Sequence, residues 1–204
     1  MNKAKKLIFF IIMIILIGVL IYNKHSQVSY KALEVKELYL SEGEYKVGRD
    51  IAEAIYDVEV IEGSILFNKM SIEKGGRVLS YNFMFDNNIL IEGSGKVKIT
   101  PAKQEKLSFI NNSYIIEDSG NYEVGKSIDS GKYTLTYYCD DEKYRDKNPL
   151  IQILNSKNSD IIESYDFTST NIYTIELDES QTLQVYKGLF EDYKNYYILL
   201  QAIK

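Results

Sequence analysis

The chain has almost no histidine, cysteine, proline or tryptophan. Its 204 residues include one histidine, one cysteine, two prolines and no tryptophan. A single cysteine, Cys139, excludes an internal disulfide, and Cys139 with His25 is too small a set for a Cys/His zinc site. One histidine leaves a Ser-His-Asp triad dependent on His25 reaching a distant serine. Two prolines, Pro101 and Pro149, exclude a long proline-rich stalk. Acid is absent from residues 1–26, which hold four lysines. The remainder therefore carries 20 basic against 29 acidic residues, a net of −9. A surface of that sign repels nucleic acid and anionic lipid, so no nucleic-acid partner is expected.

One long hydrophobic run is present. Residues 7–22 read LIFFIIMIILIGVLIY, sixteen residues without a charge. As a helix the run spans about 24 Å, against about 30 Å for the hydrocarbon core of a bilayer. Lys6 and Lys24 can snorkel at its ends. Lys3, Lys5 and Lys6 precede the run, whereas only Lys24 follows closely, which places the N-terminus in the cytoplasm and the bulk outside. The competing reading is a cleaved signal peptide, but Ile21-Tyr22-Asn23-Lys24-His25 offers no small-x-small cleavage site. The expectation is a single-pass cell-membrane protein whose extracytoplasmic bulk is held to the bilayer through residues 7–22.

The second feature present is an internal duplication. Residues 43–56 read GEYKVGRDIAEAIY and residues 120–133 read GNYEVGKSIDSGKY. Six of fourteen positions are identical, the pairs being Gly43/Gly120, Tyr45/Tyr122, Val47/Val124, Gly48/Gly125, Ile51/Ile128 and Tyr56/Tyr133. A second echo pairs Ser80-Tyr81-Asn82-Phe83 with Ser164-Tyr165-Asp166-Phe167. The offsets of the two blocks, 77 and 84 residues, imply an insertion in copy two, for which the polar stretch 140–146 is the candidate.

Both copies alternate with a period of two, the signature of half-buried strands. Tyr56, Val58 and Val60 in copy one, and Tyr133, Leu135 and Tyr137 in copy two, point one way along their segments. The same alternation recurs at Ile89 and Ile91, then Val97 and Ile99, across Gly93-Ser94-Gly95. It recurs again at Tyr173, Ile175 and Leu177, then Leu183 and Val185, across residues 178–181. Each copy is expected to close with a hairpin, and Gly75-Gly76 reads as another hairpin turn. Gly48 and Gly125 suit a bulge or a turn with positive φ. Residues 30–40 read as a linker helix or a first strand. The expected fold is all-β, two tandem β-sandwich or jelly-roll-like repeats behind the transmembrane helix. The divisions are 1–26 for the cytoplasmic tip and anchor, 27–106 for repeat 1 and 107–204 for repeat 2, joined across 101–113. One larger sandwich, with a sheet from each copy, is the alternative.

The repeated block resembles Y-x-V-G-x-D-I-x-x-G-x-Y, a motif carried in tandem by uncharacterised surface or anchored proteins of Gram-positive bacteria. Copy one keeps Asp50-Ile51 but has Ala54 at the second glycine, whereas copy two keeps Gly131 but has Ser127 at the aspartate. The resemblance covers about fourteen residues per copy. It implies an extracytoplasmic β module and no activity.

No catalytic, cofactor-binding or metal-binding set emerges. His25 reads as a juxtamembrane linker residue and Cys139 as a half-buried structural thiol. The acidic stretch 140–146 lacks the order of a calcium loop and reads as solvated. Asp50 corresponds to Ser127 in the other copy, so no carboxylate is repeated there, and Asp50 reads as a turn cap. Tyr137, Tyr138, Tyr193, Tyr196 and Tyr197 could present aromatic surface to a sugar or a protein, or alternate between core and solvent. Asn111-Asn112-Ser113 matches a glycosylation acceptor, which matters only in a eukaryotic secretory route. The expected function is a membrane-tethered, non-enzymatic module that binds an envelope protein or a polymer such as a polysaccharide. An envelope hydrolase using paired carboxylates and a structural subunit of a membrane assembly are the alternatives, and the duplicated block is the expected contact region.

Overall fold

The computed structural model describes residues 33–83, 88–144, 147–187 and 195–203. The expected anchor at residues 7–22 lies outside the described residues, as do His25 and Tyr193. Among the described residues no helix is long and apolar enough to cross a membrane. Residues 33–204 form one compact unit.

That unit is all-β. Copy one contains β1 (Leu38–Leu40), β2 (Gly43–Lys46), β3 (Ile55–Glu62), β4 (Ser64–Phe67), β5 (Met70–Glu73), β6 (Arg77–Asn82), β7 (Asn88–Glu92) and β8 (Lys96–Pro101). Copy two contains β9 (Phe109–Ile110), β10 (Ser113–Ile116), β11 (Ser119–Glu123), β12 (Gly131–Cys139), β13 (Leu150–Asn155), β14 (Ile161–Asp166), β15 (Ile172–Leu177), β16 (Gln181–Tyr186) and β17 (Tyr196–Ala202). The stretch 33–37 is extended and leads into β1, so residues 38–40 open the fold as a strand.

The strands form three sheets, ordered β1-β8-β3-β6-β11-β16-β13-β14, β15-β12-β17-β10-β9 and β2-β7-β4-β5. The two copies repeat one connectivity. The order β1-β8-β3-β6 recurs as β10-β17-β12-β15, and β2-β7-β4-β5 recurs as β11-β16-β13-β14. The eight-stranded sheet is the sum of one such sheet from each copy, joined where β6 runs parallel to β11. Each copy keeps its own core. Tyr56, Val58, Val60, Ile89, Ile91, Val97 and Ile99 gather in one, and Tyr133, Leu135, Ile175, Leu177, Leu183 and Val185 in the other. Each copy thus gives strands to two sheets, which corrects the reading of one sheet per copy.

The inward alternation is as expected, but the strand partners are not. β7 belongs to the four-stranded sheet and β8 to the eight-stranded one, so Gly93-Ser94-Gly95 is a crossing between sheets and not a hairpin turn. The same correction applies to β15 and β16 across residues 178–181, and to β5 and β6 across Gly75-Gly76. Sequential antiparallel pairs occur instead at β4–β5, at its counterpart β13–β14, and at β9–β10. Asn68-Lys69 and Asn111-Asn112 supply the positive φ values at two of these turns. The second echo also falls on strands that do not correspond, since Ser80 lies in β6 and Ser164 in β14. The insertion is where the polar stretch suggested. One residue, Gly63, links β3 to β4, whereas residues 140–149 link β12 to β13.

Candidate functional site

The duplicated block builds the same loop twice. Val47 bridges Ile51 and Val124 bridges Ile128 in parallel. Gly48 N donates to Ile51 O at 2.7 Å, and Gly125 N to Ile128 O at 2.7 Å. The two glycines have φ of 86° and 88°, a left-handed conformation costly for any residue with a Cβ. Ile51 and Ile128 are fully buried. Tyr45 and Tyr122 each donate from the hydroxyl to a carbonyl four residues back, Ser41 and Asp118. The identities are therefore explained by core and turn, while Glu44, Lys46, Arg49 and Asp50 of the first block are exposed. Asp50 does cap its turn, accepting from Lys46 N at 2.8 Å. The Arg49 guanidinium first, and then that backbone bond, hold its carboxyl below the usual range.

A concave feature lined by polar groups lies where the copies meet. Val78 of β6 pairs with Ser119 of β11, and Leu79 with Gly120. The approach is so close that a Cβ on Gly120 would stand 2.5 Å from Leu79 O and 2.8 Å from Leu79 N. A hydrogen-bond chain crosses the same seam. Ser80 N donates to Asp57 Oδ1 at 2.8 Å, Asn121 Nδ2 to Ser80 O at 3.0 Å, and Gln184 Nε2 to Asn121 Oδ1 at 2.9 Å. Ser80 carries φ 52°, opposite a bulge in β3 between Tyr56 and Val58, which aims Asp57 at its amide. Arg77 Nη2 and Asp118 Oδ2 add an ion pair across the seam at 2.7 Å. Residues 102–108, the connection between copies, wall one side, where Leu107 N donates to Ser127 O at 2.9 Å.

These elements enclose a groove of about 520 Å³. Five carboxylates line it, from Asp57, Glu59, Glu105, Glu117 and Asp118, against three basic side chains. Two of those bases are already engaged, Arg77 with Asp118 and Lys106 with Asp129 at 2.7 Å. Burial raises the Asp57 pKa above its ordinary value, opposed by the Ser80 amide and by Arg77. A smaller groove of about 290 Å³ shares Ser80, Gln104 and Asn121 and is lined by amides and hydroxyls such as Asn82, Asn155, Thr182 and Gln184. No protein-family model matches the chain, and no curated protein matches it.

The other sequence candidates lie elsewhere. Cys139 is half-buried against Tyr144 and Tyr196. In the acidic stretch, Asp141 Oδ1 accepts from Lys143 N at 2.9 Å in a 3₁₀ turn, and Asp140 Oδ2 from Asn195 Nδ2 at 2.8 Å. Among the described residues no group of three or more His, Cys, Asp or Glu side chains is arranged to hold a metal. The tyrosines divide by strand face. Tyr196 is fully buried, with its hydroxyl against the carbonyls of Lys147 and Lys187, and Tyr137 packs edge-on against it and Phe167. Tyr138 and Tyr197 stack on the outside with centroids 5.1 Å apart. Asp57 and Asp118 escaped sequence reasoning. The only local hint was their place on wet faces of alternating segments, which is true of most acids here.

Proposed function

We propose that this chain is a membrane-tethered, extracytoplasmic module that binds an envelope protein or polymer without turning it over. The tether is the apolar run 7–22 behind three lysines. The bulk is read as two tandem jelly-roll-like sandwiches, because β1-β8-β3-β6 over β2-β7-β4-β5 is a jelly-roll order and copy two repeats it. The resemblance to tandem repeats of Gram-positive surface proteins fits the same address.

The observation that carries the binding reading is the groove at the seam. It exists only because both copies contribute to it, and hydrogen bonds and an ion pair hold its walls in place. Its excess of carboxylates favours a ligand that presents amines, whether lysine side chains or an amino-bearing polymer. The test immobilises the full-length chain in mild detergent and measures retention of a lysine-rich peptide and of its glutamate analogue. The lysine peptide should be retained, released by salt, and lost in the double variant Glu59→Lys, Glu117→Lys. Equal retention by wild type and variant removes the groove from the reading.

One observation favours a second reading. Asp57, with its raised pKa, shares the groove with Asp118, and two carboxylates in one cleft are what a glycoside hydrolase requires. Hydrolysis of an envelope glycan, abolished by Asp57→Asn, would replace the binding reading with this one.

A further inference from the structure

The smaller groove, of about 290 Å³, differs in chemistry from the acidic one. Among the described residues that line it only Glu123 carries a charge, and Lys126 pairs with it at 2.9 Å. The floor is the outer face of the eight-stranded sheet. Leu183 and Val185 of β16 are buried, so Thr182, Gln184 and Tyr186 turn outward. Asn121 of β11 lies opposite Gln184, Gln184 opposite Gln152 of β13, and Gln152 opposite Ser164 of β14. Four strands thus present one row of three amides and a hydroxyl that starts at the seam. At about 4.8 Å per strand the row runs roughly 14 Å.

The row is held ready. Asn121 Nδ2 donates to Ser80 O while its Oδ1 accepts from Gln184 Nε2, and Gln152 Nε2 reaches Ser164 Oγ at 3.4 Å. Gln184 is half-buried, and its Oε1 and second N–H have no partner among the described residues. Copy one has the same connectivity but not the same row. There Glu44 takes the place of Asn121 and stands opposite Leu90. Duplication alone therefore does not produce the amide row, which begins where the copies join.

Amide side chains both donate and accept, so they match a ligand whose groups also do both. Hydroxyls meet that condition, whereas ammonium and carboxylate groups do not. A peptide fits less well. The face of a sheet has its backbone groups spent on the ladders, and strand addition needs an edge. Ile55 and Leu154 are the only aliphatic residues of the lining, too few to seat peptide side chains. We propose that the smaller groove and the row leading from it bind an uncharged oligosaccharide. Gln184 holds hydroxyls of the unit in the groove, and Gln152 and Ser164 hold those of the units that follow. This site deepens the binding reading, on which it rests for its place outside the membrane. Its chemistry is separate: an amine in the acidic groove is released by salt, whereas bonds between neutral groups are not.

The test applies the full-length chain, in a detergent without a sugar headgroup, to immobilised glucose, mannose, galactose and N-acetylglucosamine. Each is offered as monomer, dimer and hexamer, with a neutral Gly-Ser peptide alongside. At least one sugar series should be retained, the hexamer above the monomer, with retention unchanged in high salt. Gln184→Ala should weaken it about tenfold, the loss of one or two hydrogen bonds. Gln152→Ala should weaken the hexamer and leave the dimer unchanged. Circular dichroism melting checks that both variants fold as wild type does. The double variant Glu59→Lys, Glu117→Lys should retain the sugar fully. Retention of no neutral sugar, equal retention of the Gly-Ser peptide, or retention indifferent to both glutamine variants would each overturn the proposal. Sugar retained without the lysine peptide strikes the acidic groove alone, and the reverse result strikes this site alone.

Discussion

Replacing Gly120 by alanine puts a methyl group into the seam between the copies. Its Cβ would stand 2.5 Å from Leu79 O, 2.8 Å from Leu79 N and 2.9 Å from Leu79 Cβ. Those atoms belong to the backbone and root of β6, held on the other side by β3, so they cannot swing away. Relief requires β6 and β11 to separate by several tenths of an ångström. That loosens the parallel ladder and the bond from Asn121 to Ser80 O, a loss of about 1–3 kcal/mol for overpacking of this kind. Gly43 is a matched control. Its φ of 156° differs by two degrees from the 154° of Gly120, so backbone strain on substitution is shared. At Gly43 the nearest atoms are those of the Tyr45 ring at 3.5 Å or beyond, ordinary contact. The difference between Gly120→Ala and Gly43→Ala therefore isolates the seam. It corresponds to a melting temperature about 3–10 °C lower for Gly120→Ala in a chain of this size. Circular dichroism or tyrosine fluorescence can follow it, since the protein has 18 tyrosines and no tryptophan. Equal losses from the two variants would refute the close approach as the cause.

Three other perturbations have definite expected outcomes. Tyr133→Phe removes a hydroxyl that donates to Asp129 O at 2.8 Å and should cost about 1 kcal/mol. Its counterpart Tyr56 has a buried hydroxyl with no partner among the described residues, so Tyr56→Phe should be neutral or stabilising in urea denaturation. The raised pKa of Asp57 means that its contribution to stability is fully present below the unfolded value near 4 and is lost as pH rises through the folded value. Asp57→Asn, which can still accept from Ser80 N, should therefore match wild type at pH 3 and exceed it at pH 7; a deficit at pH 7 would contradict the burial argument. Arg77→Ala breaks a partly exposed ion pair and should cost under about 1 kcal/mol, with the difference shrinking in high salt when melting is compared across ionic strengths.

Strand identity was legible in the sequence at nearly every alternating segment. Tyr56, Val58, Val60, Ile89, Ile91, Val97 and Ile99 were read as inward and are all buried. Strand partnership was not legible. A two-residue period says that one face is buried but not which neighbour the edge bonds to, and a short turn is compatible with either a hairpin or a crossing between sheets. Hence Gly93-Ser94-Gly95 looked like a hairpin turn while β7 and β8 lie in different sheets. The tetrapeptides at Ser80 and Ser164 show the same limit: four matching residues landed on strands that do not correspond.

The sequence by itself determined the acidic balance, the apolar run 7–22, the duplication and the inward positions in β3, β7, β8, β12, β15 and β16, because these depend on composition and on spacing within one segment. Only the tertiary structure decided that the duplicated block is core and turn, and that β6 meets β11 in parallel. It also decided that Asp57 and Asp118 share a groove and that Ile172, Thr136, Leu199 and Ile115 line up on one outer face of copy two. Each of these joins residues far apart in the chain, across a seam whose fit rests on a missing Cβ at Gly120. No local pattern encodes which distant backbone will occupy that space.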